Sequence, residues 1–156
     1  MKSFLEFLGL IKKINLTIEI EKSEFIKCLK QKVKPNGLIF LDVLDNDRKE
    51  FYGNVNSEKF WLRKSRQLFS ESTFASACGV MKDSKNKTSL KIKIIGWNWF
   101  IIVWTLVMSF VLWNILVANF ILPILIILIL YIILFFKIRK GVSKFEKYLI
   151  SEINKF

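Results

Sequence analysis

The chain has no histidine among its 156 residues. The commonest general base and the commonest metal ligand are therefore absent. Cys28 and Cys78 are its only cysteines. Their separation gives neither a C-x-x-C motif nor a zinc-type ligand spacing. Both are expected to be reduced, buried, small apolar residues of a cytosol-facing domain. The six glycines are scattered and form no G-x-x-x-x-G-K or G-x-G-x-x-G, so no phosphate-cradling loop is visible. Acidic residues are scarce, 13 against 25 lysines and arginines, which leaves a formal charge of +12. Their one cluster is Asp42, Asp45, Asp47 and Glu50, around DNDRKE. It lacks the glycine and the distal glutamate of a calcium loop and reads as a hairpin turn. With no histidine to activate a serine or threonine, these absences point away from an enzyme. No catalytic residue, metal site or cofactor is expected.

The other conspicuous absence is charge between Ile94 and Phe136, a run of 43 positions. One helix of that length would extend about 65 Å, roughly twice the hydrocarbon thickness of a bilayer. The expectation is a transmembrane hairpin over residues 94–137, with spans at about 97–117 and 120–137 and a turn near Asn119. Lysines precede the first span at 82, 85, 87, 91 and 93, and Lys137, Arg139, Lys140, Lys144 and Lys147 follow the second. Positive flanks stay on the cytoplasmic side, so both termini are expected inside, at a bacterial inner membrane. Asn98, Thr105 and Ser109 share one helical stripe, with Asn114 one turn on and displaced. Polar groups in lipid are costly, so this stripe is expected at a helix interface or a pore. A single hairpin encloses no channel, so conduction would require a homo-oligomer, a tetramer or larger.

Residues 1–93 read as a small α+β domain, cytoplasmic, antiparallel and β-rich, with one or two helices. Phe4, Phe7, Leu8 and Ile11 suggest a short amphipathic helix. Ile14, Leu16, Ile18 and Ile20 alternate with polar residues as a strand does. A helix follows from Ser23-Glu24 to about Val33. Strands are expected at Leu38–Leu44, Lys49–Val55, Lys59–Arg66, about 74–81 and 88–95. The last runs into the hairpin through Gly96. Residues 138–156 form a C-terminal amphipathic helix, with Ile138, Val142, Phe145, Leu149, Ile153 and Phe156 on one stripe.

Charge and aromatic character meet at KFWLRKSR, residues 59–66. On a strand Phe60 and Leu62 face one side, and Lys59, Trp61 and Arg63 face the other. Lys91 and Lys93 are expected to point away from the core, and Tyr52 to lie beside Trp61. Residues 59–93 hold nine Lys or Arg against Glu71 and Asp83. Aromatics among cations suit bases and phosphates together. The candidate ligand-binding residues are Tyr52, Lys59, Trp61, Arg63, Lys64 and Arg66, for an anionic nucleotide or single-stranded nucleic acid. Anionic membrane lipid and a protein contact are the other readings of these cations.

A short basic domain followed by WNWFIIVWTLVMSFVLWN and FILPILIILILYIILFF resembles, in architecture, the membrane effectors of bacterial anti-phage defence systems. Among them are CBASS effectors and the channel-forming partner of the nucleotidyltransferase in Hailong systems. The resemblance implies an oligomeric membrane effector whose cytoplasmic domain senses a nucleotide or oligonucleotide and gates a pore lined by the first span. The alternative is a non-conducting membrane scaffold or assembly partner that recruits a cytosolic protein.

Overall fold

The computed structural model describes residues 2–35, 49–64, 75–84, 87–96, 99–115 and 121–156. Its centre is a six-stranded sheet in the order β1-β6-β5-β4-β3-β2. The strands are β1 (Ile11–Ile18), β2 (Val33–Pro35), β3 (Phe51–Val55), β4 (Lys59–Lys64), β5 (Ser76–Ser84) and β6 (Lys87–Ile95). The helices are α1 (Lys2–Phe7), α2 (Lys22–Lys32), α3 (Trp99–Ile115) and α4 (Ile121–Ile153). Five of the strands form an antiparallel series. Short β2, which follows α2 directly, runs parallel to β3. The sheet is therefore mixed, which corrects the purely antiparallel expectation.

One face of the sheet is apolar and covered. Phe51 and Val55, Phe60 and Leu62, Ala77 and Met81, and Leu90, Ile92 and Ile94 alternate along their strands and are all buried. They meet Phe25 and Leu29 of α2 and Val142, Phe145, Leu149 and Ile153 of α4 in one core. Gly79 sits opposite Phe60, and a Cβ there would lie 2.1 Å from the Phe60 ring. The absent side chain makes the space that the ring fills. α2 carries Glu24 in its first turn and Lys30 and Lys32 in its last, a charge order that complements the helix dipole.

The C-terminal apolar stripe is the seam of this core, and the helix bearing it begins earlier than expected. α4 is continuous for 33 residues, about 50 Å. The proposed division at residue 138 is absent. Ion pairs bracket the seam: Lys12 with Glu146, Lys155 with Glu152, and Lys32 with Glu152 at 2.7 Å. Phe25 meets Phe156 edge-on at 5.6 Å, and Phe51 meets Tyr148 at the same distance. Burial, with Glu50 and Glu152 nearby, pushes the Tyr148 hydroxyl up to about 12.

The transmembrane hairpin is overturned. Among the described residues no helix is long and apolar enough to cross a membrane. α3 has 17 residues, about 26 Å, short of a hydrocarbon core of about 30 Å. The uncharged part of α4, from Ile121 to Phe136, is shorter still before Lys137. The expectation of a membrane-spanning ion channel loses its structural basis with it. The expected strand at Leu38–Leu44, the Asp45–Asp47 turn and the hairpin turn near Asn119 lie outside the described residues.

Two stability outcomes follow from the seam. Phe145→Ala removes a fully buried ring from between α4 and the sheet. It should lower unfolding free energy by about 3–5 kcal/mol, measured by urea titration of the full chain. The Glu152 carboxyl is held down at about 2, first by the Lys155 ammonium and then by Lys32. A depressed carboxyl stabilises the fold above its unfolded value near 4.5 and loses that contribution as pH falls toward 2. The urea midpoint of Glu152→Gln should therefore lie below wild type at pH 7, and the gap should narrow steadily between pH 4.5 and 2.5. A gap independent of pH would contradict this assignment.

Candidate functional site

The second face of the sheet is built by the alternate residues. The register sets Lys13, Lys93, Cys78, Trp61 and Asn54 in one row across β1, β6, β5, β4 and β3. Asn15, Lys91, Val80 and Lys59 form the next row. Thr17, Ser89 and Lys82 continue the pattern. Lys13, Asn15, Thr17, Lys59, Cys78, Val80, Lys82 and Lys91 are exposed, while Trp61 and Lys93 are half-buried. Neighbouring strands lie about 4.8 Å apart, and same-face residues along a strand about 6.7 Å apart. Lys13 and Trp61 thus stand about 14 Å apart across three strand spacings. The described strands contribute no aspartate or glutamate to this face. Asp83 and its cross-strand partner Thr88 follow the helix-side alternation.

Glu6 of α1 reaches the edge of this face and pairs with Lys13 at 2.6 Å. Among the described residues Lys59, Lys82, Lys91 and Lys93 have no such carboxylate partner. Burial pushes the Cys78 thiol up, and the nearby Lys93 ammonium partly opposes it. The register sets Lys93 directly opposite Cys78 on this face. A cavity between α2, β2 and β3 meets the first of these rows at Asn54. The site is a cationic sheet surface that includes one indole, Trp61 of β4.

The expected site residues divide. Lys59, Trp61 and Arg63 do share a face, and Lys91 and Lys93 join them, as strand alternation requires. Tyr52 is on that face but stands opposite Arg63 and only diagonal to Trp61, whose cross-strand partner is Asn54. Tyr52 and Arg63 are buried, 2% and 7% exposed, with the guanidinium 5.0 Å from the ring centre. They form a cation–π support at the end of the face. Lys64 points the other way, its ammonium 4.2 Å from the Tyr148 ring of α4. It follows the even-numbered alternation of Phe60 and Leu62, and so leaves the candidate set. Arg66 lies outside the described residues. Lys13, Asn15 and Lys82 were missed, although the alternation in KKINLTI carries the signal for the first two once β1 is known to flank β6.

The polar stripe of the uncharged segment also resolves in part. Ser109 donates to the Thr105 carbonyl at 2.7 Å and lies 3.3 Å from the Tyr131 hydroxyl of α4. Asn114 donates to the Phe110 carbonyl at 2.8 Å. These groups serve the helices themselves and the α3–α4 contact. Asn98 lies outside the described residues. The cysteines correct a further expectation, since Cys78 is exposed and Cys28 half-buried, both as free thiols. Among the described residues no cluster of histidine, cysteine or carboxylate side chains could hold a metal ion. No family model, curated protein or solved structure matches the chain.

Thiol reactivity reads the electrostatics of this face directly. In a Cys28→Ser chain, iodoacetamide should alkylate Cys78 several-fold more slowly at pH 7 than it alkylates an unstructured cysteine, because only the thiolate reacts. The rate should keep climbing beyond pH 9. Lys93→Ala should slow it further. A pH 7 rate equal to that of the unstructured thiol would contradict the assigned environment.

Proposed function

We propose that the protein is a binding module whose open sheet face takes single-stranded nucleic acid. One observation carries this reading: the strand register gathers Trp61, Lys13, Lys59, Lys82, Lys91 and Lys93 onto one face with no acidic residue from the described strands. Phosphates need cations spread along a path, and bases need a ring on which to stack. A sheet face with a partly accessible aromatic, as Trp61 is, is a geometry on which single-stranded bases are splayed and stacked. The spread of the cations over four strands also selects the ligand. A mononucleotide is held best in a concavity that surrounds it, whereas an extended strand can touch separate lysines about 7 Å apart along β6. The paired Arg63 and Tyr52 hold the end of the platform rigid rather than contributing a free cation. With no helix among the described residues long and apolar enough to cross a membrane, pore gating forms no part of the proposal.

Affinity would come mainly from phosphate neutralisation and would fall with salt. Stacking on Trp61 would add about 1–3 kcal/mol per base.

The test is fluorescence anisotropy of a labelled deoxythymidine 12-mer with the full chain at 50 and 200 mM salt. Wild type should bind, and Trp61→Ala should weaken binding roughly 5- to 150-fold, the equivalent of that stacking energy. Trp61→Phe should recover part of the loss. Lys59→Ala, Lys91→Ala and Lys93→Ala should each lower the salt slope by about one. Absence of binding at 50 mM salt overturns the proposal. So does a Trp61→Ala chain that binds as wild type while the lysine variants weaken, since that is a simple charged surface. Binding of a mononucleotide as tight as that of the 12-mer would overturn the extended-strand reading.

A further inference from the structure

α3 and the first half of α4 form an arm with an unusual surface. Fourteen large apolar side chains of these helices are exposed among the described residues. They do not lie on one stripe. Leu106, Val107 and Met108 are consecutive, and so are the six residues from Leu128 to Ile133. Consecutive exposed positions point around the whole helix circumference. A helix that is apolar on all sides is normally enclosed on all sides.

The arm's polar groups are already prepared for enclosure. Ser109 and Asn114 bond to carbonyls one turn back, and Ser109 meets Tyr131 between the helices. Each already has a donor satisfied within its own helix, which lowers the cost of enclosing it. Residues 94–136 carry no charge, so the arm offers nothing for a charged partner to pair with. The arm is also held in place. α4 passes without a break into its core-packed half. At the junction Gly96 packs so closely on α4 that an added Cβ would lie 2.3 Å from Val142 and 2.7 Å from Ile138.

Half-exposure of fourteen large apolar side chains leaves on the order of 1,000 Å² of apolar surface uncovered. Monomers rarely expose contiguous apolar patches above a few hundred Å². A stable interface needs about 800 Å² per partner. We propose that the α3–α4 arm is a self-association surface, bundled with the arms of further copies of this chain. The chemistry matches itself: an uncharged apolar helix pair is covered by others of the same kind. Enclosure on all sides calls for more than one neighbour. Lys137, Arg139 and Lys140 are exposed at the domain end of the arm, so copies brought together repel there. Added salt screens that repulsion and should strengthen assembly, the opposite of its effect on nucleic-acid binding. This inference is independent of the ligand proposal and stands or falls separately.

The experiment is sedimentation velocity of the full chain, without detergent or lipid, at 50 and 300 mM salt. The expected result is one defined oligomer, more populated at the higher salt. Leu128→Glu combined with Ile132→Glu should dissociate it to monomer, with the far-ultraviolet circular dichroism of the sheet domain retained. Should that variant lose its fold, a Cys28→Ser, Cys78→Ser, Leu128→Cys chain provides a second reading, and oxidation should trap covalent dimers within minutes. A wild-type monomer at 50 μM overturns the proposal. So does polydisperse aggregate without fixed stoichiometry, and so does failure of the cysteine chain to cross-link. A chain that stays monomeric and floats only with phosphatidylglycerol vesicles also overturns it and assigns the arm to lipid.

Discussion

The seating of the second half of α4 on the sheet is the constraint on which the other features depend. Ile138, Val142, Phe145, Leu149 and Ile153 are all buried there. A sheet with one polar face must have its other face covered, and α2 alone is only 11 residues long. α4 supplies the remaining cover from the far end of the chain. Glu152 then ties the seam to α2 through Lys32, whose own ammonium is raised above the usual lysine range chiefly by that hydrogen bond. A raised lysine stabilises below its unfolded value and releases that stability as pH climbs through its folded one. The pair therefore supports the seam across the neutral range and weakens at both extremes.

The same helix dictates where the remaining surfaces lie. Because α4 covers one side of the sheet, the exposed lysines of the described strands are gathered on the opposite side. Because α4 is unbroken, its apolar first half cannot fold back onto the core without breaking helical hydrogen bonds in mid-element, which proteins do chiefly at proline or similar defects. Pro123 lies in its first turn, where proline is tolerated. The cationic face and the apolar arm are therefore formed by different elements, β-strands in one case and α3 with the first half of α4 in the other.

Much of the sheet was legible in the sequence because strand alternation is a local signal. Ile14–Ile18, Lys59–Arg63 and Leu90–Ile94 each declare a wet and a dry side without reference to a neighbour. The amphipathic stripe from Ile138 to Ile153 was equally plain. Strand order was less accessible. Nothing local to KKINLTI announces that it pairs with the last strand, some eighty residues later, so Lys13 and Asn15 escaped the site. Lys64 was included from composition when its alternation already placed it with Phe60 and Leu62. The uncharged run misled for a related reason. Counting apolar residues measures a segment, whereas crossing a bilayer requires a long apolar helix, and α3 has only 17 residues while the uncharged stretch of the continuous α4 ends before Lys137.

The two proposed surfaces would act on each other through charge even without a conformational change. A copy carries +12, and several copies gathered by their arms concentrate that charge, at a cost that rises with each addition. A polyanion lying across the open faces would neutralise part of it, so ligand would favour assembly. Linkage makes the effect reciprocal: assembly would raise affinity for the ligand by the same factor. Assembled faces would also engage one strand at several points, with the later contacts made at high effective concentration. That advantage exists only for a strand long enough to reach a second face. The physical consequence is selection by length, obtained from a surface that reads no base edges and from an arm that touches no ligand.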